Sequence, residues 1–204
     1  MGRTYDSIEP HLVQFITNQH IFFVGTAPSG PEGHVNISPK GYNTLRILGP
    51  RRVAYADLTG SGIETVAHLR ENGRIVLMFC AFTGPPRILR LHGKGSVIEP
   101  TDDAFDEMSK LVPIPLGLRA IIDVDIERIS DSCGYGVPIM HFQEDRDQLR
   151  RWTEKKGDEG LRQYWATENA TSIDGLPGLQ PSSLVARTEP ENATSIDGLP
   201  GLSP

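Results

Sequence analysis

Apolar and polar positions change their period several times along the chain, and each change marks an element. Over residues 7–18, Ile8, Leu12, Phe15 and Ile16 recur at helical spacing and predict an amphipathic helix capped by Asp6 or Ser7. Ile21 to Thr26 is a run of strand formers ending in the turn cluster Pro28-Ser29-Gly30-Pro31-Glu32-Gly33. His34 to Ser38 reads as a second strand stopped by Pro39, and short strands are predicted at 44–48 and 53–56. Ile63, Val66, Ala67 and Leu69 define a short helix that Asn72-Gly73 ends. Arg74 to Cys80 is apolar on both parities, the mark of a central strand covered on both faces.

Beyond the turn Thr83-Gly84-Pro85-Pro86, a long strand is predicted from Arg87 to about Glu99. Arg90, His92 and Lys94 share one of its parities, Leu89 and Leu91 the other. A helix is expected over 102–111, with Phe105, Met108 and Leu111 on its inner face. Leu118 to Ile129 then alternates, with Ala120, Ile122, Val124 and Ile126 inward and Arg119, Asp123, Asp125 and Glu127 outward. Two charged helical stretches follow, at 143–156 and 158–167. Six or seven strands with only short helices between them lack the strand–helix alternation of a parallel sheet. The expected fold is therefore mainly β with short helices, arranged as an antiparallel barrel.

Residues 1–167 form the expected domain, and 168–204 a Gly/Pro-rich tail in which order should fall off. One segment is duplicated: Glu168-Asn169-Ala170-Thr171-Ser172-Ile173-Asp174-Gly175-Leu176-Pro177-Gly178-Leu179 recurs unchanged as Glu191 to Leu202. Two copies do not make a solenoid, which needs three or more packed units. The first copy is the better candidate for a structural role. Asn169 and Asn192 stand in glycosylation sequons that read as chance matches.

Composition narrows the classes. A formal net charge of −6 argues against a general nucleic-acid binder, which needs a basic stripe. No apolar run approaches the roughly 20 residues that span a bilayer, and the polar start of the chain does not resemble a signal region, so the expectation is a cytoplasmic protein. With only Cys80 and Cys133, and no paired histidines at ligand spacing, neither a disulfide framework nor a metal site is expected.

Three places could carry chemistry. Asp57-Leu58-Thr59-Gly60-Ser61-Gly62-Ile63-Glu64-Thr65 joins a strand to a helix through two glycines flanked by hydroxyls. Such a loop can aim N–H groups and the positive helix end at a phosphate; a plain helix-start turn fits the residues as well. It lacks the Gly-Lys-Ser/Thr of a Walker loop, and Thr65 stands where a dinucleotide fingerprint has its third glycine. Lys40, in Ser38-Pro39-Lys40-Gly41, can hold a cation beside a phosphate or an electron-rich ring, although a solvated turn lysine is the commoner case. Arg90, His92 and Lys94 repel one another unless something anionic lies across them, be it a ligand phosphate, a partner carboxylate or the acidic helix nearby. No catalytic residue stands out.

In this order the three signals resemble the FMN-binding split β-barrel of the pyridoxamine-5′-phosphate-oxidase-like superfamily. The resemblance runs from Ser38-Pro39-Lys40-Gly41 through Tyr55-Ala56-Asp57, the Thr59–Arg70 loop and helix, and Arg74 to Phe79, to Arg87-Ile88-Leu89-Arg90-Leu91-His92-Gly93-Lys94-Gly95. Family members with no assigned substrate also carry a tail like Tyr164-Trp165 and Ser172 to Leu179. It implies a homodimer with FMN at the interface, each site completed by the partner chain. Thr59, Gly60, Ser61 and Gly62 would hold the FMN phosphate, helped by Lys40 and following Asp57, with Thr65 and His68 in reach. The flavin ring would lie near Asn36, Ile37 and Ser38, approached by Arg90.

The expected function is an FMN-dependent oxidoreductase acting on a small molecule, with NAD(P)H as one available donor. Pyridoxamine-phosphate oxidases end in a Trp and Arg-x-His segment that grips the substrate phosphate, and nothing after Ile129 resembles it. Pyridoxamine phosphate is therefore not the expected substrate. Two alternatives stand beside this reading. One is a non-catalytic flavin- or haem-binding barrel, with His68 or His92 as axial ligand; the other is an F420-dependent reductase, which the acidic balance does little to support.

Overall fold

The computed structural model describes residues 2–180. Its elements run β1 (Thr4–Tyr5), α1 (Pro10–Thr17), β2 (Phe22–Thr26), β3 (Asn36–Lys40), β4 (Leu45–Gly49), β5 (Arg52–Leu58), α2 (Glu64–Asn72), β6 (Arg74–Cys80), β7 (Ile88–Ile98), α3 (Phe105–Met108), β8 (Leu118–Ser132) and α4 (Gln148–Glu168). Every strand pairing is antiparallel, in the order β3-β2-β6-β7-β8-β5-β4, with β1 added on β8. The two edge strands, β3 and β4, are consecutive in the chain. A tight link through Tyr42 (φ 57°) and Asn43 (φ 49°) joins them, and Ala56 N–H donates to Thr44 O across the closure. The sheet thus rolls into an antiparallel split β-barrel, as its alternation predicts.

The inner parity packs one core: Val24, Tyr55, Leu77, Leu89, Leu91, Ile122 and Ile129 have essentially no exposed surface, and Leu12 and Ile16 of α1 plug one end. A smaller layer lies outside β5 and β8, where Met108 and Val112 cover Ala54, Ala56 and Ile121. Each fully buried Leu or Ile contributes about 1.5–3 kcal/mol.

Several local expectations are corrected. Pro39 does not stop the second strand, since β3 runs on to Lys40; as an edge strand it has a neighbour on one side only and tolerates a residue without an N–H. The first helix starts at Pro10, a residue suited to a first turn, with Glu9 rather than Asp6 or Ser7 at its cap. The helix expected over 102–111 shrinks to Phe105–Met108. The charged helices begin at Gln148 rather than 143 and break at Gly157 (φ 62°, ψ 175°), between the two predicted stretches. The outer parity of β6, Val76 and Met78, is half-buried rather than covered.

Arg119 is the consequential correction. It does not point outward but is 4% exposed. The β5–β8 register steps from Asp57 opposite Ala120 to Leu58 opposite Leu118, so Arg119 is the unpaired residue of a bulge. A bulge re-aims a side chain that strict alternation would put on the other face.

The first repeat copy departs from the order expected of its composition. Asn169, Ser172, Gly178 and Leu179 are buried, and Leu179 joins the main core. Gly178 is needed here because a Cβ would run into the Asn169 carbonyl and Ile63. The second copy, Glu191 to Leu202 with Asn192, lies outside the described residues. No described helix is long and apolar enough to cross a membrane.

Candidate functional site

The end of β5, the 59–63 loop, the start of α2 and the end of β3 enclose a cleft of about 310 Å³. Ser38, Lys40, Thr59, Gly60, Ser61, Gly62, Thr65 and Arg119 line it. Sequence reasoning named all of these except Arg119. Among the described residues, the backbone N–H groups of Gly60, Ser61 and Gly62 donate to no protein acceptor. The α2 helix begins beside them with its own unpaired N–H groups. The cleft is therefore rich in donors that an anion could use.

Asp57 is the electrostatic centre. Wholly buried, it accepts from Lys40 Nζ at 2.6 Å and from Arg119 Nε at 2.8 Å. Burial alone would raise its pKa, but the neighbouring charges of Arg119 and Lys40 outweigh that and hold it at about 2. Arg119 Nη1 donates to Gly60 O (3.2 Å) and Asn169 Oδ1 (2.9 Å), while its Nη2 finds no acceptor among the described residues. Lys40 gives one proton to Asp57 and keeps two for the cleft.

Thr59 plays a different part from the expected one. Its hydroxyl donates to Gly117 O at 2.7 Å and accepts from Trp165 Nε1 at 2.9 Å, so it is spent on fixing the loop. Asn169, from the first repeat copy, adds a clamp by donating to Gly60 O at 3.0 Å. Glu64 accepts from Ile173 N–H, and Asp174 accepts from both the backbone and the ring of His34. The repeat is thus a strap that holds the back of the loop. Trp165 belongs to that wall rather than to a merely charged helical surface.

Deeper in, five side chains form one hydrogen-bonded chain: Ser38, Asn36, Thr65, Thr26 and His68. His68 has no exposed surface, its Nδ1 lies 3.0 Å from Thr26 Oγ1, and burial pushes its pKa down against the opposing pull of Asp174, Glu64 and Glu71. The unfolded chain takes up a proton near the ordinary value of 6.5 that the folded ring resists, so stability should fall as pH drops below that value. Burial with the charges of Arg90 and Arg128 lowers His92 in the same sense. Urea midpoints measured from neutral pH to pH about 5 should therefore decline, and His68→Asn should flatten part of that slope. An unchanged slope in the variant would contradict this.

Not every predicted residue converges. Ile37 projects from the outer side of β3 and is 69% exposed. Arg90 shares a sheet row with Pro39, Phe23 and Met78, on the opposite parity from Lys40, and donates to Ser132 Oγ at 3.0 Å. It does not line the cleft. Neither does His92 or the buried His68, which takes support from an axial-ligand role. Sequence reasoning missed Arg119, Asn169 and Trp165. A signal existed for the first, a lone cation within an apolar strand, and for the second, its place at the head of a duplicated segment.

Residues 8–133 match the family described as Pyridoxamine 5′-phosphate oxidase. The chain is 40% identical over 192 residues to the Pyridoxamine 5′-phosphate oxidase family protein ustO of Aspergillus flavus, covering 86% of this chain and 77% of that protein. Among solved structures, a single-residue variant of HupZ from Group A Streptococcus is 21% identical, with a TM-score of 0.48, over 61% of this chain and 99% of that one. An FMN-binding protein from Syntrophomonas wolfei is 19% identical, with a TM-score of 0.41, over 63% and 83% respectively.

Proposed function

The chain belongs to the pyridoxamine 5′-phosphate oxidase family, and from that premise we propose that it is an FMN-dependent oxidoreductase acting on a small molecule. The observation that carries the reading is the donor-rich cleft at the start of α2. An FMN phosphate suits it: Gly60, Ser61 and Gly62 offer free N–H groups, Lys40 two protons and Arg119 the unspent end of its guanidinium. Thr59 shapes the loop instead of touching the phosphate. Bound FMN would supply hydride chemistry, and the chain would supply position and electrostatics. Asp57 offsets one of the two cations, which leaves a modest positive surplus against the phosphate.

The absence of an Arg-x-His element after Ile129 supports a substrate other than pyridoxamine phosphate. NAD(P)H is the proposed donor. A homodimer is proposed with it, in keeping with the exposed apolar Val35 and Ile37 on the outer side of β3.

Flavin-free protein titrated with FMN should quench its fluorescence. Lys40→Ala should weaken the affinity about tenfold or more, the worth of a charge-assisted hydrogen bond. Wild-type protein that does not quench FMN would reject the reading.

A further inference from the structure

We infer that Asn36 sets the hydrogen-bonding polarity of the cleft, making it a site for a phosphate ester carried on a hydroxylated chain. The inference rests on the cofactor reading above and sharpens what that cleft selects. Asn36 has one amide oxygen and two amide protons, and all three are engaged. Its Nδ2 donates to Thr26 Oγ1 at 3.1 Å and to Thr65 Oγ1 at 3.0 Å, while its Oδ1 accepts from Ser38 Oγ at 3.0 Å.

The proton count then fixes what the cleft sees. Ser38 has spent its only proton on Asn36, so its oxygen meets the cleft as an acceptor. Thr65 has accepted from Asn36 and keeps its own proton, so it meets the cleft as a donor. The far end of the chain is anchored. Thr26, already an acceptor, passes its proton to Nδ1 of His68, a ring with no exposed surface whose Nε2 has no partner among the described residues.

The two polarities occupy different parts of the cleft. Thr65 lies beside the free N–H groups of Gly60 to Gly62 and the spare protons of Lys40, an all-donor end suited to a phosphate. Ser38 is an acceptor next to it and calls for an O–H or N–H on the same ligand. Inorganic phosphate lacks the second group and riboflavin lacks the first. FMN and ribitol 5-phosphate carry both. Asn36 acts through Ser38 and Thr65 and is a positioning residue.

The test is calorimetric titration of flavin-free, full-length protein with FMN, riboflavin and ribitol 5-phosphate. Thr65→Val should weaken both phosphate esters about 10-fold or more and leave riboflavin within about 2-fold. Ser38→Ala should weaken all three alike. Asn36→Asp keeps the shape but accepts at both ends, turning the Thr65 proton inward, and should reproduce the Thr65→Val pattern. Asn36→Ala should weaken binding in the wild type, yet change it by less than about 2-fold on top of Ser38→Ala and Thr65→Val. A further loss in that background overturns the inference, as does a Thr65→Val that weakens riboflavin as much as FMN. If ribitol 5-phosphate binds with this pattern but neither flavin does, the flavin reading fails and the polarity stands. Binding of none of the three overturns both.

Discussion

Asp57→Ala is expected to lower the stability of the fold by about 3–5 kcal/mol, the effect of leaving a buried cation without its partner. Arg119 is the reason. At 4% exposure it cannot turn its guanidinium to water, and without Asp57 it keeps only the carbonyls of Gly60 and Asn169. Lys40 is less constrained, being half-buried at the mouth of the cleft, and can swing outward. Asp57→Asn should fall between, since it keeps the shape and loses the charge. The double variant Asp57→Ala with Arg119→Met should recover part of the loss, because an apolar side chain in the bulge leaves no stranded charge. Urea unfolding midpoints of the four proteins decide the matter. A single-variant loss under about 1 kcal/mol, or a double variant worse than the sum of its parts, would contradict the central place given to this carboxylate.

Truncation after Thr167 should have an effect of similar size, whereas truncation after Gln180 should leave stability near that of the full chain. The first removes Leu179 from the main core, together with the Asn169 clamp on Arg119 and Gly60. Losing a buried Leu contributes about 2–5 kcal/mol when a cavity remains, and the lost clamp adds the cost of an unpaired buried donor. The second truncation keeps the strap and its Gly178 and Leu179 hydrogen bonds to Ala170 and Asn169. Thermal melts compare the two. Equal melting temperatures for the full chain and the Thr167 truncation would show that the strap contributes nothing to the barrel.

Much of this architecture is legible in the sequence because its physics is local. The strict alternation of Leu118 to Ile129 reports one buried face, and Asn72-Gly73 reports a helix end, where Gly73 takes φ 70°. The Thr59–Thr65 loop is legible as an anion cradle because glycines and hydroxyls cluster between a strand and a helix. What escapes depends on register or on distant partners. Parity sends Arg119 outward, and only the bulge opposite Leu58 turns it back to Asp57. Pro39 looks like a stop until β3 is known to be an edge. Thr59 looks like a phosphate ligand until Trp165, far along the chain, claims its hydroxyl. Asn169 sits in a Gly- and Pro-rich segment whose composition points to a tail, yet its side chain is buried against the cleft loop.

The most direct test of the flavin reading is the absorbance spectrum of the freshly purified protein, with mass spectrometry of whatever heat releases from it. The prediction is the two-band spectrum of an oxidised flavin and a released mass equal to FMN. A Soret band, or a colourless protein that takes up no added FMN, would contradict it.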